Sequence, residues 1–146
     1  MFEKILYPTD FSDVSKKALE YVKKLKEAGT KEVIVLHVLD TRSFGIPDAE
    51  VALAADVEKL EQAREENAID ELRGIEAELE KRGFDVTVRM ETGTPFTEIL
   101  RVEDEEDVSA VVIGSHGKSM VQEMLLGSVS EKVIRKSKKP VMVVRR

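Results

Sequence analysis

Short apolar segments alternate with segments of helical periodicity along the whole chain. The first apolar segment, KILY, begins at Lys4. After Ser12, apolar positions recur at three- and four-residue spacing up to Leu25, which predicts a helix that ends at Gly29. The next segment, EVIVLHV (32–38), is nearly continuously apolar, as is typical of a strand covered on both faces. The chain is therefore expected to begin with a strand, a helix and a second strand.

The same alternation continues through the rest of the chain. A long helical pattern runs from Ala49 to Arg82 and ends at Gly83, with a polar interruption of its apolar stripe at Arg64. After it we predict a strand, a short helix, a buried strand, a helix and a closing strand. Their sequences are FDVTVRM (84–90), a helix opened by Thr94 and Pro95 with Phe96, Ile99 and Leu100 on its apolar face, SAVVI (109–113), SVSEKVIRKSKK (128–139) and PVMVV (140–144).

The predicted element order is β-α-β-α-β-α-β-α-β. Such alternation indicates an α/β fold with a parallel, doubly wound sheet and helices on both faces. Ligands of such sheets bind at the carboxyl ends of the strands, where the winding direction reverses. The pattern contains no internal repeat or linker, so we expect residues 1–146 to form a single domain.

Composition narrows the classes of function. The chain has 146 residues, no cysteine and a net charge of −6. It therefore has no disulfide framework and no cysteine nucleophile or cysteine metal site. Its acidity disfavours non-specific binding to nucleic acid or to an anionic membrane. No apolar run approaches the roughly 20 residues of a spanning helix, and no secretory segment is recognisable. We expect a cytoplasmic protein without nucleic-acid or membrane partners.

A glycine-rich segment, GSHGKSMVQEMLLGSVS (114–130), is the main candidate for chemistry. Gly117 permits a tight turn or the close approach of a ligand, and Gly127 precedes the last helix. Free N–H groups at the start of that helix favour phosphate, and Lys118 could add positive charge. The segment is not a Walker A loop, because that motif would need glycine where Val112 stands.

Each candidate residue also has an explanation without a ligand. The pair Ser128 and Glu131 has the spacing of a capping box, and Asp10 could be a turn or capping residue. His116 could be an exposed loop histidine. His37 lies among apolar strand residues, so we expect a hydrogen-bonded core histidine without a role in the site. No cluster of histidine, aspartate or glutamate has metal-ligand spacing.

The glycine-rich segment fits the pattern G-x2-G-x9-G-[ST], and this resembles the ATP-binding branch of the universal stress protein family. Gly114, Gly117, Gly127 and Ser128 fill every defined position. The segments KILYPTDFSDVSKKAL, VIVLHV and KKPVMVV resemble the first strand and helix, the second strand and the closing strand of that family. The resemblance extends over essentially the whole chain.

The resemblance implies a five-stranded parallel sheet in the order 3-2-1-4-5, a fold of the adenine-nucleotide alpha-hydrolase type. The winding then reverses between the first and fourth strands. By the same resemblance, Asp10 would hold the ribose hydroxyls and the backbone of Val38 would pair with the adenine edge. Mg²⁺ would be held mainly through the phosphates. The remaining residues expected to contact ATP are Pro8, Thr9, Gly114, His116, Gly117, Gly127, Ser128, Val129 and Ser130.

In that strand order the last strand is an edge of the sheet. Its residues Val141, Met142, Val143 and Val144 are apolar, and an unpaired apolar edge is a template for another chain. We therefore expect a homodimer in which two copies of this strand pair antiparallel, as the resemblance also implies. The alternative is a monomer whose edge is protected by the charges of neighbouring lysines and arginines.

Three functions are open at this point. The first is an ATP-binding regulatory switch in a stress response with little hydrolysis of its own, because the glycine-rich segment offers no evident base for an attacking water. The second is a weak ATPase or phosphotransferase that uses Asp10 or Glu123. The third is a structural or interaction protein that binds no ligand.

Overall fold

The computed structural model describes residues 1–41, 54–117 and 126–146, with the backbone alone for Ala54 and Ala55. Its described strands form a parallel sheet in the order β3-β2-β1-β4-β5, which confirms the predicted fold class and order. The strands are β1 (Lys4–Pro8), β2 (Glu32–Asp40), β3 (Asp85–Gly93), β4 (Ala110–Gly114) and β5 (Val141–Val144). The helices are α1 (Asp13–Lys24), α2 (Ala54–Lys81), α3 (Pro95–Glu106) and α4 (Ser128–Lys136).

The sheet is covered on both faces because its central strands carry consecutive apolar residues, which place apolar side chains on both faces. Successive side chains point to opposite faces, so Tyr7 packs into the core beneath α1 and α2, whereas Leu6 packs into the core beneath α3 and α4. Both side chains are fully buried. Two apolar layers of this kind hold the strand ends in fixed positions, and these strand ends carry the candidate site.

The sequence signals place most element ends correctly. The Ser12 hydroxyl accepts a hydrogen bond from the Ser15 N–H at 3.2 Å and caps α1. Gly29 and Gly83 have φ angles of 99° and 86°, in the left-handed region where glycine is favoured, and each follows the end of a helical segment. The predicted start of the long helix at Ala49 lies outside the described residues.

Two strands are longer than their apolar patterns. β2 continues two residues beyond Val38, and β3 continues three residues beyond Met90. Backbone pairing between the two strands extends to Asp40 and Gly93, so the ladder continues where the side chains have become polar. α4 ends three residues before the predicted Lys139, because the backbone is already extended at Ser137.

The winding direction of the sheet reverses between β1 and β4. From β1 the chain proceeds through α1 to β2 and then to β3, whereas β4 and β5 lie on the other side of β1. The carboxyl ends of β1 and β4 are therefore neighbours from which the following chain segments leave, and this is where a crevice forms in such sheets. Among the described helices, none is long and apolar enough to cross a membrane.

Candidate functional site

A cleft of about 1390 Å³ lies at the carboxyl ends of the strands, at the point where the winding reverses. Its walls come from the β1–α1 loop, the end of β2, the end of β4 and the start of α4. All eleven residues that were expected to contact ATP line this cleft. These residues are Pro8, Thr9, Asp10, Val38, Gly114, His116, Gly117, Gly127, Ser128, Val129 and Ser130.

The β1–α1 loop holds Asp10 through local hydrogen bonds. The Oδ1 atom of Asp10 accepts a bond of 3.0 Å from the Ser12 N–H, and the Phe11 N–H donates 3.0 Å to the Thr9 hydroxyl. The Thr9 N–H donates 2.8 Å to the carbonyl of Leu36 on β2. Asp10 is thus a turn residue, as the ligand-free alternative held, and it also lines the cleft. The two interpretations do not exclude each other.

A chain of buried hydroxyl groups lies below this loop. The Tyr7 hydroxyl donates 2.7 Å to the Ser15 carbonyl, and the Ser15 hydroxyl donates 2.6 Å to the Thr9 hydroxyl. Burial raises the pKa of Tyr7, and its hydrogen bonds to Ser15 and Thr9 offset part of that effect. The chain of bonds ties β1 to the first turn of α1 and fixes the base from which Asp10 projects.

The three glycines of the pattern each allow two parts of the chain to approach closely. A Cβ added at Gly114 would lie 3.1 Å from a Val14 methyl group and 3.2 Å from the Ser15 nitrogen on α1. One added at Gly127 would lie 3.3 Å from the carbonyl oxygen of residue 115. Both glycines therefore have a packing reason, which the sequence analysis did not identify.

Gly117 differs from the other two glycines because its nearest neighbour is the carboxylate of Asp10, the residue expected to bind the ribose. A Cβ added there would lie 2.8 Å from the Oδ2 atom of Asp10, closer than real Cβ atoms approach other heavy atoms. The backbone of Gly117 and the carboxylate of Asp10 therefore face each other without a side chain between them. The two segments that the sequence analysis assigned to one ligand meet at this point.

The start of α4 corrects one prediction. The N-cap is Gly127, and Ser128 is the first helical residue, so the capping box proposed for Ser128 and Glu131 does not form. Glu131 instead pairs with Arg135 at 2.6 Å. Ser128 is exposed and lines the cleft. The capping explanation of Ser128 is wrong, which leaves its hydroxyl available to a ligand.

The side chains of Ser115, His116 and Ser130 have different environments near the start of α4. The Ser130 hydroxyl is buried and donates 2.7 Å to the Gly114 carbonyl, so it cannot donate that proton to a phosphate. The Ser115 hydroxyl lies 2.5 Å from Nδ1 of His116.

The N–H groups of Ser128, Val129 and Ser130 have no intrahelical acceptor, because they are the first three of the helix.

Val38 offers backbone groups to the cleft. The Leu36 carbonyl faces β1, since it accepts the Thr9 N–H. Backbone groups alternate between the two sides of a strand, so the N–H and C=O of Val38 also point to the side of β1. The paired region of β1 ends at Pro8, opposite Leu36. The alternation therefore turns one donor and one acceptor of Val38 toward the cleft.

The cleft is also lined by residues that the sequence analysis did not assign to the site, among them His37, Phe11 and Arg64. His37 is half-buried rather than a core residue, and Nδ1 lies 2.8 Å from the Thr9 carbonyl oxygen, which confirms only the predicted hydrogen bond. Phe11 stacks on the His37 ring with centroids 4.4 Å apart. Arg64 on α2 also lines the cleft. Its interruption of an apolar stripe was the signal that could have identified it.

Two parts of the predicted site lie outside the described residues. They are residues 118–125, which include Lys118 and Glu123, and most of the loop from Asp40 to Glu50. The described side chains contain no group of three or more histidine, aspartate or glutamate residues that could hold a metal ion. The described part of the predicted site therefore includes the Asp10 carboxylate, the N-terminus of α4, the close approach of Gly117 to Asp10 and the open backbone groups of Val38.

Comparisons with known proteins agree with one another. The model of the Universal stress protein family matches residues 1–145. Universal stress protein MJ0577 of Methanocaldococcus jannaschii is 42% identical over 156 aligned positions, which cover 100% of this chain and 96% of that protein. The solved structure of MJ0577 superposes with a TM-score of 0.91 and covers 100% of this chain and 97% of that one.

Two more distant solved structures share the fold. One is a universal stress protein in complex with cAMP, with a TM-score of 0.65, 23% identity and coverage of 99% of this chain and 97% of that one. The other is an Arabidopsis thaliana protein of the universal stress protein family with AMP bound, with a TM-score of 0.69, 18% identity and coverage of 98% and 91%.

Proposed function

Because the chain belongs to the universal stress protein family, we propose that it binds ATP in the cleft and acts as a nucleotide-dependent regulatory switch in a stress response, with little hydrolysis of its own. The observation that carries the proposal is the approach of Gly117 to Asp10, whose Oδ2 atom lies 2.8 Å from the position of an added Cβ. This approach supports the binding of a single ligand by both the β1–α1 loop and the glycine-rich segment. The adenine nucleotides in two structures of the same fold support the ligand class.

The phosphates would lie at the N-terminus of α4. The N–H groups of Ser128, Val129 and Ser130 converge there, and the helix dipole favours negative charge. The exposed Ser128 hydroxyl would add a donor, whereas the Ser130 side chain would act indirectly by anchoring the helix to Gly114. Backbone donors at a helix start bind the phosphate oxygens without needing a cationic side chain.

The nucleoside would lie between β1 and β2. Asp10 would accept hydrogen bonds from the ribose 2′- and 3′-hydroxyls through its carboxylate, which is already oriented by the Ser12 N–H. The open donor and acceptor of Val38 would pair with the adenine edge. A donor next to an acceptor matches the amino group and ring nitrogen of adenine, which gives the site a reason to prefer that base.

A divalent ion such as Mg²⁺ would accompany the phosphates and would be held mainly by their oxygens, since the described side chains include no cluster of metal ligands. When bound, it would neutralise phosphate charge. Asp10 is engaged by the Ser12 N–H and directed at the ribose, so it is poorly placed as a base for water. The alternative of a weak ATPase or phosphotransferase is decided by measuring ATP turnover.

The assembly we propose is a homodimer through β5. The Pro140 carbonyl accepts a hydrogen bond from the N–H of Val111 on β4, and the Val144 carbonyl accepts one from the N–H of Ser115, which follows β4. Backbone groups alternate between the two sides of a strand, so those of Val141 and Val143 face away from β4. The opposite edge of the sheet carries Arg89, which pairs with Glu105 on α3 at 2.8 Å. Charges protect an edge strand from pairing, so β5 is the better template of the two edges.

A direct test of the function is to denature purified protein and analyse what it releases. We expect an adenine nucleotide, and calorimetry on nucleotide-free protein should then give ATP binding with a heat signal that is absent in Gly117→Val. Protein that neither releases nor binds a nucleotide would contradict the proposal and favour a ligand-free interaction protein. Steady release of phosphate at a rate typical of enzymes would favour the ATPase alternative. Cytoplasmic location and a single domain over residues 1–146 stay predictions from the sequence.

A further inference from the structure

The backbone next to Asp10 is in an unusual conformation. Phe11 has a φ angle of 65°, in the left-handed region that side chains other than glycine rarely adopt. Such a conformation costs free energy and persists only where the surroundings enforce it. The residue is a bulky aromatic, for which this region is least favourable. Something in the fold must therefore hold the loop in this shape.

His37 makes contacts on both sides of Asp10. Its ring stacks on Phe11, with centroids 4.4 Å apart and an angle of 25° between the planes. Its Nδ1 atom lies 2.8 Å from the Thr9 carbonyl oxygen. A carbonyl oxygen only accepts, so Nδ1 carries the proton and donates it. One side chain thus holds the residue before Asp10 and the residue after it.

The position of His37 makes it a rigid support. It lies on β2, which is paired with β3 on one side and with β1 up to Leu36 on the other. The loop it contacts has left β1 and carries Asp10 over the cleft. The bond from the Thr9 N–H to the Leu36 carbonyl ties the start of the loop to β2, and the contacts of His37 extend this support to both neighbours of Asp10.

We propose that His37, together with the stacked ring of Phe11, is a positioning residue that aims the Asp10 carboxylate at the nucleotide ribose. The inference rests on the proposed ATP binding and goes beyond it, because it gives His37 and Phe11 a role in the choice of sugar. A carboxylate accepts two neighbouring hydroxyls only if its plane faces them. Hydrogen bonds of this charged type depend strongly on geometry.

The test measures sugar discrimination instead of affinity alone. Calorimetry gives the dissociation constants of ATP and of its 2′,3′-dideoxy analogue, and their ratio is the discrimination. We expect the unmutated chain to favour ATP by roughly ten-fold or more. In His37→Ala the ratio should fall at least about three-fold, because the carboxylate loses its alignment while the rest of the site is intact. Asp10→Ala should bring the ratio to about one.

Two conservative variants separate the contacts and keep the test valid if His37→Ala folds poorly. His37→Asn retains a donor for the Thr9 carbonyl and loses the ring, whereas His37→Phe retains the ring and loses the donor. Each should give a ratio between those of the unmutated chain and His37→Ala. Tyr21→Ala, an exposed aromatic on α1, is the control and should leave the ratio unchanged.

The outcomes distinguish this inference from the function on which it depends. If the unmutated chain binds ATP with discrimination and the His37 variants keep the same ratio, the positioning role is wrong and the function stands. Equal weakening of both nucleotides in the His37 variants would also overturn it, since that is the effect of a merely structural residue. If the unmutated chain binds no nucleotide, both proposals are wrong.

Discussion

The hydroxyl of Ser130 donates a hydrogen bond of 2.7 Å to the carbonyl of Gly114, and so joins the first turn of α4 to the last residue of β4. The serine is buried, and the bond spans the glycine-rich segment between them. It places a helix N-terminus next to a strand end at the point where the winding reverses. The phosphate part of the proposed site depends on this junction.

Ser130→Ala should therefore lower the free energy of unfolding by about 1–3 kcal/mol, because the Gly114 carbonyl loses a buried partner. Ser128→Ala is the matched control two residues earlier. Its side chain is exposed, so the change should alter the free energy of unfolding by less than about 0.5 kcal/mol, whereas it should weaken the binding of ATP. Urea denaturation and calorimetry measure the two effects. Equal losses of stability in both variants would contradict the assigned roles.

Gly117→Ala should abolish or strongly weaken ATP binding and leave a folded protein. The added Cβ would lie 2.8 Å from Oδ2 of Asp10, so the carboxylate must turn away from the ribose. A turned side chain costs the fold little, and circular dichroism should be unchanged.

Gly74→Ala is the control for that substitution. No atom outside its own helix lies within 4 Å of an added Cβ there, and the residue is inside α2. It should stabilise the protein by about 0.5–1 kcal/mol, which would show that replacing a glycine by alanine does not in itself harm the fold. ATP affinity retained in Gly117→Ala would remove the argument from the approach of Gly117 to Asp10.

Tyr7 links stability to alkaline pH. Burial raises its pKa above the value of about 10 expected in the unfolded chain. The resulting stability is fully present below pH ~10 and is lost as pH rises through the higher pKa of the folded state. Tyr7→Phe removes the ionisable hydroxyl and with it the hydrogen bond to the Ser15 carbonyl. The loss of this bond should lower the free energy of unfolding by about 1–3 kcal/mol at neutral pH.

Urea denaturation between pH 7 and pH 11 compares the two proteins. The advantage of the unmutated chain over Tyr7→Phe should be constant up to about pH 10 and should shrink above it. Tyr21→Phe is the control, since Tyr21 is 42% exposed and should show neither effect. An advantage that stays constant through pH 11 would show that the titration of Tyr7 does not limit stability.

The homodimer is tested at the outward face of β5. Val143→Pro removes an N–H group that alternation directs away from β4, so pairing with a second copy should weaken and the protein should shift toward monomer. Val143→Thr keeps the N–H group and should remain dimeric. Sedimentation equilibrium of the unmutated chain at micromolar concentration is decisive, and a mass of about 16.4 kDa would refute the dimer.

The fold was largely predictable because the apolar segments are long and bounded by strong signals. Gly29, Gly83 and the pair Thr94 and Pro95 mark element ends where the structure has them. The exact order of the strands came from the family resemblance. The ends of β2 and β3 were missed because backbone pairing continues past the apolar pattern, and periodicity does not report pairing.

The location of the cleft was predictable from the strand order, whereas the contacts within it were less so. The sequence analysis assigned Asp10 and Gly117 to one ligand but did not place them side by side. The partners of Ser130 and His37 arise from contacts between distant segments that spacing does not encode. The capping box at Ser128 was wrong because sequence alone does not fix which residue is the N-cap, and here the helix begins one residue earlier than that motif requires. Phe11 was missed because nothing local in the sequence indicates a positive φ.

The central claim, that Asp10 holds a ribose in this cleft, is tested most directly by one comparison of dissociation constants. Calorimetry should measure ATP and its 2′,3′-dideoxy analogue on the unmutated chain and on Asp10→Ala. We predict that the substitution weakens the binding of ATP by about 1.5–3 kcal/mol, roughly ten-fold or more, and weakens the binding of the dideoxy analogue far less. Equal weakening of the two nucleotides, or no binding of ATP to the unmutated chain, would contradict the claim.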